Sequence, residues 1–192
     1  MFSDALRFLL NIVFGLLVYA VLLRFLMQWM RAPFRNPLGQ AVSALTDWAV
    51  KPARRVIPGF RGYDWASLVL AWVFQALWLA ALAAIGGGIV LSANLAGLIA
   101  ALAVIDLLKA ALWIVIIAVF AQALLSWVAP DGPLAGVLHA LTFPLLRPVR
   151  RVVPPLGGAL DLSPLIVIVI GQLVLMLPVA WLEQTIAGLF RS

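Results

Sequence analysis

The chain has 192 residues, 66% of them apolar and 10% charged, with 13 Lys and Arg against 7 Asp and Glu and a formal net charge of +6. An ordinary globular domain is about 45–50% apolar and about 25% charged, so this composition cannot clothe a soluble domain. The lack of cysteine and of a glycine period excludes disulfide scaffolds, thiolate chemistry, Cys-based metal centres and collagen.

What remains is an integral membrane protein, and the mean hydropathy of +1.16 agrees. A bilayer core about 30 Å thick needs roughly 20 apolar residues in a helix. Four stretches meet this, at about 5–30, 65–85, 110–129 and 164–182. Trp29, Trp65, Trp127 and Trp181 fall at the expected ends, where an amphipathic indole is favoured. Arg24 lies near the end of the first stretch, and its long stem suits snorkelling to the headgroups. Residues 89–105, after Gly86-Gly87-Gly88, are also apolar, and 86–109 is read as a connector. That segment is expected to be a re-entrant piece, an outer-interface helix or the extension of a tilted helix.

Nine of the thirteen basic residues sit in two intervals, Arg31 to Arg61 and Arg147 to Arg151. The positive-inside rule puts both in the cytoplasm. That placement requires an even number of crossings between them, hence four full spans with both termini outside.

Residues 45–58 align without a gap on 141–154 at an offset of 96, and Asp64 before one span matches Asp161 before another. Ten of the twelve prolines lie in these two connecting regions. The chain therefore reads as two parallel copies, 1–85 and 110–192. Each runs span, amphipathic interfacial segment, Pro-x-Arg-Arg-x-x-Pro motif, Asp, span. In the first copy Asn36 can cap a helix and Pro37 suits its first turn. Leu38, Val42, Leu45 and Trp48 then share one face. Pro52 and Pro58, or Pro148 and Pro154, bracket the paired arginines Arg54 and Arg55, or Arg150 and Arg151. Because proline disfavours helix in the residue before it, this stretch is expected to be semi-rigid and presented at the membrane surface.

Arginine suits phosphate and carboxylate. Lys51, Arg54, Arg55, Arg147, Arg150 and Arg151 are therefore the candidate contacts to anionic lipid headgroups or to an acidic protein partner. Asp64 and Asp161 have a structural reading, as helix-end carboxylates or as ion-pair partners of their own motif. Asp106 and Lys109 are three apart and are expected to pair with each other at a helix end. His139 is the only histidine, and no nucleophile–base pair, carboxylate dyad or phosphate loop is present. Neither an enzyme nor a cofactor, metal or nucleic acid ligand is expected.

The repeated unit has Arg24 and Trp29 at a span end, Asn36-Pro37, Leu45-Thr46, Pro52-Ala53-Arg54-Arg55-Val56-Ile57-Pro58 and then Asp64. It resembles the YggT family of small membrane proteins, over nearly the whole chain and as a two-copy member. The second copy departs at Gln122, opposite Arg24, and lacks Asn before Pro133. The resemblance implies a membrane organiser or assembly factor, with links to cell division and osmotic stress and, in plastid relatives, to cytochrome assembly and nucleoid organisation. It supplies no catalytic residue. The expected function is a non-enzymatic inner-membrane scaffold, open to homo-oligomerisation. A small channel or ion/osmolyte transporter is the alternative, suggested by Gln28, Gln75, Gln122 and Gln172 within the spans.

Overall fold

The computed structural model describes residues 2–60, 62–85, 93–153 and 161–189. These residues form α1 (Phe2–Trp29), α2 (Pro37–Val56), α3 (Trp65–Ile85), α4 (Ala93–Val128), α5 (Ala135–Val152), α6 (Ser163–Val174) and α7 (Ala180–Leu189). A π-helical turn, Leu175–Val179, fuses α6 to α7. Pro178 has no N–H to offer the preceding turn, and the widened π turn absorbs that missing bond. Among the described residues four helical stretches are long and apolar enough to cross a membrane, Ser3–Trp29, Trp65–Ile85, Asn94–Val128 and Ser163–Leu189. The chain is an all-α, four-span membrane protein.

Two spans exceed their expected length. From Ala93 onward, the apolar segment read as a connector is the first half of α4, which runs unbroken through Asp106 and Lys109. Of the three readings for 89–105, helix extension holds for its described part. Residues 86–92, with the glycine triplet, lie outside the described residues. At 1.5 Å per residue, 36 residues span about 54 Å, so α4 must tilt or project from the apolar layer. The fourth span continues past Leu182 to Leu189. Trp181 is therefore an interior residue of that span, and Glu183 is drawn into it.

Helix α4 is the central element, touching α1, α3, α5, α6 and α7. Its inner half packs with Val18, Val21, Leu22, Val50 and Ala71 through Leu107 and Ala110. Further along, Ala118 joins Leu26, Met27 and Ala32 of the first copy, Val42 of α2, and Val137, Leu138 and Leu141 of α5. A third cluster, Val119, Leu146 and Val167, ties α4 to α5 and α6. Because Val42 and Leu141 belong to one cluster, α2 and α5 lie at the same end of the bundle. α1 and α4 both run toward that end, so the two copies are parallel.

Asn36 caps α2 as its residue type implies: its Oδ1 accepts from Gly39 N at 2.9 Å, and Pro37 occupies the first turn. The second copy lacks this side-chain cap at Leu134. The burial face of α2 is rotated from the expected apolar stripe. Gly39, Val42, Thr46, Ala49 and Val50 are buried, whereas Trp48 is 62% exposed. The reason is a polar contact with α1 that draws Thr46 inward, described below.

The end of α1 closes with Ala32 N to Met27 O at 2.7 Å and Arg31 N to Gln28 O at 3.2 Å. This paired closure places its pivot residue in the left-handed region, where glycine is usual, and here the pivot is Arg31 at φ 54°. Left-handed backbone costs a non-glycine residue about 1–2 kcal/mol. Arg31→Gly is therefore expected to stabilise the chain by about 1 kcal/mol, seen as a higher thermal unfolding midpoint in detergent.

Candidate membrane-surface site

The two basic motifs are not proline-bracketed loops. α2 continues through Pro52 to Val56, and α5 through Pro144 and Pro148 to Val152. The expectation of a non-helical stretch fails because all three prolines sit on the exposed side of their helices, where a carbonyl freed by the missing N–H can be solvated. Arg54, Arg55, Arg150 and Arg151 thus occupy the last helical turns, where cations complement the helix dipole. Pro58 follows α2 on the surface, and Pro154 lies outside the described residues.

Helix geometry divides each arginine pair. Arg54 Nη2 meets Asp64 Oδ2 at 2.5 Å, its Nε donates to Oδ1 at 3.2 Å, and its Nη2 also donates to Gln28 at 3.0 Å. Asp64 in turn accepts from Ser67 N at 3.3 Å and Ser67 Oγ at 2.5 Å, which ties it to the first turn of α3. The second copy repeats the design. Arg150 Nε and Nη2 reach Asp161 at 2.9 and 2.8 Å, and Asp161 accepts from Ser163 N at 2.9 Å. Both structural roles read for the two aspartates, helix-end carboxylate and ion-pair partner, therefore hold together. Each first arginine is a staple from the amphipathic helix to the next span.

Burial pushes the Asp64 carboxyl up, but the hydrogen bonds from Arg54 and Ser67 outweigh it and hold the group below the usual carboxylate range. Asp161 shows the same balance, with burial opposed by Ser163 and Arg150.

Arg55 and Arg151 have no such staple and are exposed, as is Arg147, whose guanidinium lies 5.6 Å over the Phe143 ring. Lys51 is also exposed and reaches Asp47 at 2.7 Å. Val56 and Val152 are 82% and 81% exposed beside them. The exposed cations at this end of the bundle include Arg35, Lys51 and Arg55 of the first copy and Arg147 and Arg151 of the second, set among apolar side chains.

Arg24 departs most from its expected role. It does not snorkel: it is 6% exposed, and its Nη1 donates to Thr46 Oγ1 and to Asp47 Oδ1, both at 2.7 Å. The Thr46 hydroxyl in turn donates to Val42 O at 2.6 Å. Hydrogen bonds from Lys51 and then Arg24 hold the Asp47 carboxyl below the usual range. In the second copy Gln122 replaces Arg24, Phe143 replaces Asp47, and Thr142 stays buried against the Gln122 amide. The second copy carries neither charge, so no buried guanidinium stands there without its carboxylate. That paired replacement, at an offset of 96 for Asp47 and, after a two-residue gap, 98 for Arg24, was the signal in the sequence for this link.

The fold and this surface define a multi-pass α-helical membrane protein built from two parallel copies of one span–amphipathic helix–span unit. A family model described as CCB3/YggT matches residues 3–85 and 101–182, one match for each copy. The chain belongs to the CCB3/YggT family. It is 36% identical over 168 residues to uncharacterized protein YggT of Escherichia coli strain K12, covering 87% of this chain and 85% of that one. It is 39% identical over 169 residues to uncharacterized protein PA0392 of Pseudomonas aeruginosa, covering 85% and 82%. A Vibrio alginolyticus protein, described as uncharacterized protein in proC 3'region, is 34% identical over 173 residues, covering 86% and 89%. No solved structure matches.

Proposed function

We propose that this chain is a non-enzymatic scaffold of the bacterial inner membrane, with α2 and α5 forming one cytoplasmic working surface that engages anionic lipid headgroups and through them helps to position a protein assembly. The observation that carries this reading is the placement of two basic amphipathic helices at one end of the bundle, where Val42 of α2 and Val137, Leu138 and Leu141 of α5 belong to one apolar cluster with Leu26 and Met27 of α1 and Ala118 of α4. Orientation in the membrane needs positive charge. It does not need two copies of a stapled helix that present it on a shared face. The supporting charges are Lys51, Arg55, Arg147 and Arg151, because Arg54 and Arg150 are spent on Asp64 and Asp161.

The test uses the full chain reconstituted in nanodiscs of mixed phosphatidylcholine and phosphatidylglycerol, with lipid retention read after extraction. Each basic residue near an anionic surface contributes about 1 kcal/mol. Substituting all four by Gln should therefore strip most of the phosphatidylglycerol preference while insertion and unfolding midpoint stay close to the parent. Undiminished preference in a folded quadruple variant would sink the proposal. A second reading, a small oligomeric ion transporter, draws on charged residues that meet inside the spans. Cation flux in proteoliposomes would rank it first.

A further inference from the structure

Away from α2 and α5, charged groups meet inside the bundle. Lys109 of α4 pairs with Glu183 of α7, and its Nζ lies 3.4 Å from Asp106 Oδ1. Asp106 Oδ2 accepts from Gln75 Nε2 of α3 at 2.9 Å. These residues are not at a helix end. Gln75 lies ten residues beyond the start of α3 and ten before its end, and Asp106 and Lys109 lie well within α4. Glu183 is within the fourth span. Ionisable groups at such depth are costly and mark function by default.

One ammonium faces two carboxylates, and the closer partner is Glu183. Asp106 is left with the longer contact and a neutral amide, so the uncompensated negative charge resides on it. Beside it lies a cavity of about 290 Å³, lined by Asn11 and Tyr19 of α1 together with Gln75, Trp78, Asp106 and Lys109. Gln75 gives one of its two N–H donors to Asp106, which fixes its amide at the edge of this space and leaves the carbonyl oxygen as the group able to ligate. The lining residues thus bring amide, phenol and carboxylate oxygens to the edge of one space, and hard oxygen donors beside a single uncompensated carboxylate suit a monovalent alkali cation better than a soft metal. The fold does not require these charges, because the aligned positions in α1 are Phe8 and Asn11, and that span forms with neither. The π turn adds a residue ahead of α7 and so rotates everything after it by about 100°, which turns Glu183 toward Lys109.

We propose that this cavity is a binding site for one alkali metal cation, held by Asp106 with the side-chain oxygens of Gln75, Asn11 and Tyr19, while Glu183 keeps Lys109 from neutralising Asp106. This goes beyond the surface scaffold and would supply the coupling ion for the transporter reading.

The experiment titrates NaCl and KCl, against choline chloride at constant ionic strength, into the full chain in nanodiscs, with binding read by calorimetry and by the unfolding midpoint. The parent should take up one alkali cation saturably. Asp106→Asn should abolish uptake. Glu183→Gln should weaken it by about tenfold, because the freed ammonium turns to Asp106. Lys109→Met should tighten it by a similar factor, because nothing then competes for the carboxylate. That gain keeps the proposal testable if Asp106→Asn fails to fold. Saturable binding unchanged in Glu183→Gln and Lys109→Met would overturn it. So would proton uptake with no alkali dependence, or the absence of saturable binding in the parent.

Discussion

Asp47→Ala should destabilise the full chain by about 3 kcal/mol, because removing one partner of a buried ion pair strands the other. The stranded group is Arg24, whose side chain is 7% exposed and whose remaining partner is the Thr46 hydroxyl. Asp47 is itself 30% exposed, which places the loss at the lower end of the range for such pairs. The second copy provides the rescue. The double variant Arg24→Gln with Asp47→Phe installs the Gln122 and Phe143 arrangement at the first site. It should recover most of the loss, because no buried charge is left and the amide can meet Thr46 as Gln122 meets Thr142. Arg24→Gln alone should cost less than Asp47→Ala, since the carboxylate it leaves still holds Lys51. A thermal or denaturant unfolding series on the parent, Arg24→Gln, Asp47→Phe and the double variant measures the coupling. Additive losses would show that the two residues do not act as a pair.

The two staples carry the second large effect, and they should differ. Asp64 is 1% exposed at its side chain and joins Arg54 to both groups of Ser67, whereas Asp161 is 29% exposed. Asp64→Ala should therefore cost about 3 kcal/mol. Asp161→Ala should cost about 1 kcal/mol, as exposed pairs do. The same groups set the acid response. Asp47, Asp64 and Asp161 all have folded-state values below the ordinary one. Their stabilisation is fully present above the unfolded value of about 3.9 and is lost as pH falls through the lowered folded values. Unfolding midpoints should thus be insensitive to these three groups from neutrality down to about pH 4 and fall below it. Asp64→Asn should flatten that fall more than Asp161→Asn.

The two sets of charged residues are distributed differently between the copies. Arg54 and Arg150, with Asp64 and Asp161, recur in both copies and hold the fold of each. Asp106, Lys109 and Glu183 occur only in the second.

Composition, hydropathy and the offset of 96 determined, from sequence alone, the membrane class, the four spans, the two parallel copies, the Asn36 cap and the basic segments. These depend on local periodicity and on transfer of side chains to an apolar solvent, quantities that sum along the chain. Tertiary structure alone decided that α2 and α5 stay helical through their prolines, because that depends on which side of each helix faces outward. Packing likewise chose between staple and free cation within each arginine pair. It turned Arg24 from a snorkelling residue into a buried link to Thr46 and Asp47, and it brought Glu183 to Lys109 from 74 residues away. Contacts across such separations leave no periodic trace in the sequence, since they are set by helix lengths, by crossing geometry and by one π turn that re-aims a helix. The basic residues of an apolar chain therefore include arginines paired to hold the fold, cations left exposed at one end, and one half-buried ammonium set between two carboxylates.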